Sequence, residues 1–326
     1  MGSRQKNQML YLWEGIACLS VILIHCRFPG VVGIITETQA RFAVPLFFAI
    51  SGFFWNSNIQ NTEKRVREKI KKMLSLFIVA LVIYTAYKLL VKEITLSIFS
   101  VSNLFKLIIF NYADFICGTL WFLLALVYCY IFIWIIDKFN KYNILPTLAA
   151  VLLILNYIGR IFFYKKGFLF TQIFLYRNWL MTAIPFFIIG YIISLKKDII
   201  VKKINGYMSF FIIVIGMICS LVERYFLNIE LDFYIGSLII ICGIFALSLK
   251  KTEVKYFKIL QYLGENCTLF IYLFHPLIMY VIRRVFHIWG LGDSGISAWL
   301  LPISVAICAI VMAVLFNVLK NKVKKA

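Results

Sequence analysis

An all-α, polytopic bundle of about ten membrane-crossing helices is the architecture this sequence predicts, on three observations. Of its 326 residues, 63% are hydrophobic and 17% aromatic, with a mean hydropathy of +0.91; soluble domains sit near half apolar. The apolar residues gather in ten segments that approach the roughly 20 residues a spanning helix needs. Lys and Arg, 34 against 14 Asp and Glu, fall in short tracts between alternate segments, as in cytoplasmic membrane loops. A net charge of +20 on a soluble chain would point to nucleic acid. Here no basic stripe lies on a domain outside the apolar runs, and that class is set aside.

The first segment, 9–28, is interrupted by Glu14 and His25, so the N-terminus does not read as a cleaved signal despite Arg4 and Lys6. The second, 41–57, is short and contains Arg41, Pro45 and Ser51-Gly52, which predicts an irregular start tolerated only against protein or a polar cavity. The third, 73–91, follows the basic run KRVREKIKK at 64–72. Trp121 lies in the fourth, 115–136, and 144–163 is the fifth. Arg177-Asn178 opens the sixth, 178–195, and Glu223-Arg224, read as solvated, closes the seventh, 207–226. The eighth is 232–249, the ninth, 262–284, carries His275, and the tenth is 298–319. With the N-terminus in the cytoplasm, the inner tracts hold 22 of the 34 Lys and Arg. That bias predicts a multi-pass plasma-membrane protein with both termini cytoplasmic. The longest outer connections, 92–114 and 164–177, carry the amphipathic-looking LSIFSVSNLFKLIIF and GFLFTQIFLY, suited to the interface or to folding back over the bundle. No loop is long enough to be a domain, so 1–326 is read as one integral-membrane unit whose chemistry lies in or beside the bundle.

An ionisable residue inside the membrane costs about 2.5–3.5 kcal/mol at a helix centre and persists where something compensates. Glu14 and His25 are eleven residues apart, close to three turns, so they share one helix face at a separation of roughly 16 Å. His275 falls at a depth similar to that of His25, on a helix able to face it, whereas His287 lies in an outer loop with a surface role. Arg41 and Arg177 fall at outer boundaries, where arginine snorkels or lines a vestibule for an anionic or sugar group. The eight cysteines lack CxxC spacing and read as small buried hydrophobes. Only Cys26 stands beside a histidine, and i+1 neighbours diverge on a helix, so no metal site is expected.

Five stretches carry a resemblance: EGIACLSVILIHCRFPG, RFAVPLFFAISGFFW, LWFLLALVYCYI, RNWLMTAIPFFIIGYII and LGENCTLFIYLFHPLI. In this order and spacing they resemble acyltransferase family 3, the integral-membrane acyltransferases, over about residues 10–320. The resemblance implies transfer of an acyl group, usually acetyl from cytoplasmic acetyl-CoA, to a hydroxyl on a sugar or other envelope component of a bacterium. It also implies an arginine with ten residues between it and the first-helix histidine. His25 matches the histidine, but Glu14 stands where the arginine is expected. Glu14 cannot hold a CoA phosphate as arginine could.

The residues fit that chemistry. Acyl transfer from a thioester to a hydroxyl needs a base, and a neutral imidazole, His25, suits it. Glu14 marks the inner end of the same polar face. Acyl-CoA needs cations at the inner face, which Lys69, Lys71 and Lys72 of the basic run offer; topology and anionic lipid contact explain the same charges. Arg41, Trp121, Arg177 and His275 are expected along the path of a carbohydrate acceptor, such as an exopolysaccharide sugar, that is membrane-borne, lipid-carrier-linked or completed by an extracytoplasmic partner protein. Ser51 reads as a small packing residue more readily than as an acyl-carrying nucleophile. The competing reading is a transporter or flippase for a small solute or carrier-linked sugar, since intramembrane His and Glu also suit proton coupling.

Overall fold

The computed structural model describes residues 7–55, 62–167, 173–250, 253–292 and 294–323. Arg4, Lys6, Lys324, Lys325 and residues 168–172 of the second amphipathic-looking stretch lie outside the described residues. Among the described residues the regular elements are all helical. In chain order they are α1 Gln8–His25, α2 Gly30–Ala40, α3 Ala43–Phe53, α4 Thr62–Leu90, α5 Val101–Phe110, α6 Trp121–Phe139 and α7 Leu145–Lys165. There follow α8 Ile184–Leu195, α9 Lys197–Lys203, α10 Gly206–Leu227, α11 Ile235–Lys250, α12 Lys258–Tyr262, α13 Thr268–Ile288 and α14 Gly295–Val323. A wide π-helical turn leads into α8 (Trp179–Ala183) and another into α13 (Leu263–Cys267).

Among the described residues, eight spans are long and apolar enough to cross a membrane: Gln8–His25, Gly30–Phe53, Thr62–Leu90, Gly118–Phe139, Tyr142–Lys165, Gly206–Leu227, Lys258–Ile288 and Gly295–Val323. The chain is thus a multi-pass membrane helix bundle, the architecture in which a helix satisfies its own backbone in lipid. The sixth and eighth expected segments are also helical but shorter. Trp179–Leu195 joins α9 at a 71° bend, a pair that would raise the count to nine, and α11 has 16 residues.

Two expected boundaries move. The second span begins at Gly30 rather than 41, because Thr, Glu and Gln dilute the hydropathy of α2 while the fold buries Glu37 and Thr38 and gives Gln39 a partner. Glu37 and Thr38 are fully buried, and Gln39 Nε2 donates to the Met217 carbonyl at 2.9 Å. The irregularity expected near Pro45 is the turn at Arg41 and Phe42 between α2 and α3, which puts Arg41 inside the span. The third helix starts at Thr62, so the basic run is its opening rather than a loop, as its helix-forming Lys, Arg and Glu allow. In the first amphipathic-looking stretch, Ser100 caps α5 by accepting from the Asn103 N–H, and α5 ends at Asn111 with φ 47°.

Contacts divide the chain into two units, Met1–Phe47 with Lys196–Ala326, and Phe48–Leu195. In the first, α1 lies backbone to backbone against α12 and the turn that follows it. A Cβ on Gly15 would stand 2.1 Å from the Leu260 carbonyl oxygen, and one on Gly264 would stand 1.9 Å from that of Tyr11. In the second unit, Gly52 and Gly190 let α3 and α8 approach equally closely, each hypothetical Cβ falling within 2 Å of a carbonyl oxygen, Phe187 or Ala49. Small residues at helix crossings are how membrane helices gain close packing. Replacing Gly264 by Ala should therefore lower the thermal midpoint in detergent, by an overpacking cost of about 1–3 kcal/mol or more. Gly206→Ala, whose Cβ would meet nothing within 4 Å, should leave the midpoint unchanged.

Candidate active site

His25 is the last residue of α1 and is exposed. Its ring centroid lies 5.3 Å from that of His275, with the planes 41° apart. His275 is 1% exposed. The local sequence explains its posture. Pro276 follows it inside α13 and has no N–H, so the Tyr272 carbonyl one turn back, next to that of Ile271, loses its helical donor. The ring of His275 folds onto that turn, with Nδ1 3.0 Å from the Ile271 carbonyl oxygen. A carbonyl only accepts, so Nδ1 carries the proton and the neutral ring presents a lone pair on Nε2. That atom is buried and meets no hydrogen-bond partner among the described residues. Tyr272 packs edge-on to His275 at 6.3 Å, and Phe47 packs edge-on to Tyr272 at 6.2 Å. The arrangement pairs an exposed imidazole with a buried acceptor beside it. Leaving such an acceptor unsatisfied is costly, so a hydroxyl or water is the natural complement.

Arg41 does not snorkel. At 8% exposure it donates through Nε to Glu37 and through Nη2 to Glu230 at 2.6 Å, and its Nη1 stands 3.8 Å from Asp232. Arg27 donates to the other oxygen of Glu230 at 3.2 Å. This charge cluster ties the α2–α3 turn to the 230–232 loop, and Arg41 spends its donors there. Nearby, Glu223 is not simply solvated: its carboxylate accepts from the Ile235 and Gly236 N–H groups at 3.0 and 2.8 Å, capping α11.

Glu14 stays on α1 beside Gly15, about 16 Å from His25 by helical rise. The two residues named together for chemistry thus occupy opposite parts of one helix.

In the second unit, Trp121 opens α6, stacks 5.6 Å from Phe48 and is 6% exposed. Arg177 Nη2 donates to Asp114 Oδ2 at 2.5 Å. The polar residues missed by the sequence reading surround these two. Asn111 Nδ2 donates to the Trp121 carbonyl at 2.9 Å, and its Oδ1 accepts from the Trp179 N–H at 2.8 Å. Asn156 Nδ2 donates to the Met181 carbonyl at 2.9 Å, and Arg160, one turn along α7, is 6% exposed. A charged residue within the fifth apolar run was the available signal for Arg160.

The basic run splits. The Lys69 ammonium turns onto the Tyr130 ring at 5.8 Å, whereas Lys71 and Lys72 are exposed. A surface depression of about 570 Å³ is lined by Glu63, Lys64, Arg67, Glu68 and Lys71, so carboxylates stand among the cations. Of the three lysines named for acyl-CoA, only Lys71 lines it. Among the described residues no group of three or more His, Cys, Asp or Glu is arranged to hold a metal.

The fold and the paired histidines thus define a multi-pass membrane protein in which a helix-end imidazole faces one from the interior of another helix. The family model described as "Acyltransferase domain" matches residues 10–321, and the chain belongs to acyltransferase family 3. No curated protein and no solved structure matches it significantly.

Proposed function

We propose that this membrane acyltransferase moves an acyl group, acetyl in the first instance, from cytoplasmic acyl-CoA to a hydroxyl of a cell-envelope carbohydrate, with His25 as the base. The observation that carries the reading is the pairing of exposed His25 with the buried Nε2 of His275, which meets no partner among the described residues. A second hydroxyl of the acceptor donates to His275 Nε2 as it arrives, so the attacking hydroxyl keeps its own proton for His25. As its oxygen attacks the thioester carbonyl, the proton passes to a ring nitrogen of His25. The tetrahedral intermediate then expels the CoA thiolate, which takes the proton from the imidazolium. Base and anchor stand on different helices, so substrate positioning and proton transfer are separable.

Acyl-CoA phosphates require cations, and Lys71 and Lys72 stand exposed for them on the opening turns of α4, while Lys69 is held by Tyr130. That placement is consistent with both termini lying in the cytoplasm. Glu14, in place of the arginine expected in this family, adds no cation for the donor. Glu14→Arg should therefore lower the KM for acetyl-CoA with little change in kcat, read as CoA release by protein in nanodiscs. An unchanged or raised KM would remove Glu14 from the donor path. The primary test is CoA release from acetyl-CoA in the presence of glycan acceptors. Release no higher than from empty nanodiscs, across acyl donors and acceptors, would overturn the proposal.

A further inference from the structure

Just beyond His25 in the chain, residues Arg27 to Gly30 line a cleft of about 540 Å³ that acyl transfer as such does not require. Its floor and sides include Phe28, Pro29, Ile34 and Leu301, and two guanidiniums, Arg27 and Arg283, open onto it. No carboxylate lines it among the described residues, which sets it apart from the mixed-charge depression on α4. Arg27 shares Glu230 with Arg41, while Arg283 meets no carboxylate among the described residues. Two like charges held toward one hollow raise its affinity for an anion. The walls add a second requirement. Ile34 is itself exposed, and around it the apolar Val31, Ile35, Trp299 and Leu300 are exposed on the spans that border the cleft. In a membrane protein such residues meet lipid. The cleft thus offers cations inside and hydrocarbon-facing edges outside, which suits an anionic head group carried on a lipid chain rather than a soluble anion. Arginine is also the side chain whose fork best matches phosphate oxygens.

The cleft adjoins the histidines through the chain itself. Arg27 is two residues beyond His25, and Arg283 lies on α13 eight residues beyond His275 and lines the same cleft. We infer that Arg27 and Arg283 bind the phosphate of a lipid-borne acceptor, presenting the sugar attached to that phosphate to His25. This deepens the proposed function and rests on it, by assigning the acceptor to the class of lipid-phosphate-linked carbohydrates.

The test uses the full chain in phosphatidylcholine nanodiscs with a polyprenyl phosphate as probe and bound lipid counted by native mass spectrometry. Wild type should retain the probe, and Arg283→Gln should weaken binding about tenfold or more, as expected for loss of a charge-assisted hydrogen bond. Arg27→Gln with Arg283→Gln should weaken it further, and Arg283→Lys should restore part of it. Equal retention by wild type and the double variant would overturn the inference. Displacement of the probe by equimolar phosphatidylglycerol would do so too, by marking an ordinary headgroup contact. So would displacement by millimolar inorganic phosphate, by marking a soluble-anion site. His25→Ala should still bind the probe, and absence of acyl transfer by the wild type with its lipid binding intact would refute the catalytic proposal and leave the phosphate site standing.

Discussion

His25→Ala is expected to reduce acyl transfer by about 10²–10⁴-fold, the usual contribution of a positioned general base, with the protein still folded. The second half of that expectation comes from exposure. His25 ends α1 and its side chain is not part of the packed interior, so its removal leaves no cavity. His25→Gln, which keeps polarity without the basic nitrogen, should be as inactive as the alanine variant. His275 behaves differently. It is buried and donates to the Ile271 carbonyl, so His275→Gln should act chiefly on the acceptor KM through the lost lone pair at Nε2. The measurement is transfer of radiolabelled acetyl from acetyl-CoA to acceptor by wild type and the variants in nanodiscs, with size-exclusion profiles as the folding check. Full transfer by His25→Gln would remove His25 from the chemistry.

Arg41→Ala is expected to act on the fold. Its guanidinium is 8% exposed and stands among Glu37, Glu230 and Asp232, with Glu37 fully buried. Removing one partner of a buried ion pair leaves an uncompensated charge, at a cost of about 3–5 kcal/mol. Arg27 still reaches Glu230, so the loss concentrates on Glu37 and Asp232. Arg41→Lys keeps the charge but cannot reproduce the fork that reaches Glu37 and Glu230 together, and should fall between. Replacing Arg41 and Glu37 together by Leu should recover much of the loss, because no buried charge is then abandoned at Glu37. Thermal unfolding in one detergent compares the series. Arg41→Ala with a wild-type midpoint but a tenfold higher acceptor KM would return Arg41 to the acceptor path, where the sequence alone had put it.

Arg41 also shows how far the candidate site was legible. Its presence near an apolar segment was plain, but its three carboxylate partners come from α2 and from a loop almost 190 residues later. No local pattern announces such a pairing. His25 and His275 were legible as similar depths on two helices, because an ionisable residue in an apolar run is conspicuous. Their contact was not, since it depends on how α1 packs against α13. Arg160 and Asn156 were passed over although they interrupt an apolar run, and their burial follows from packing rather than from composition.

By itself, the sequence determined that this is a bundle of apolar helices, where most of them run, and which polar residues stand out in them. Those features follow from the transfer of each side chain between water and hydrocarbon, a property summed locally along the chain. Tertiary structure alone decided that α2 joins the second span despite its polar residues, that Arg41 is neutralised rather than available, and that Lys69 is held by Tyr130 while Lys71 is not. It also decided that one histidine is exposed and its neighbour buried. Each of these depends on which residue from a distant helix arrives beside the first, and in hydrocarbon a polar group's cost is set by that partner.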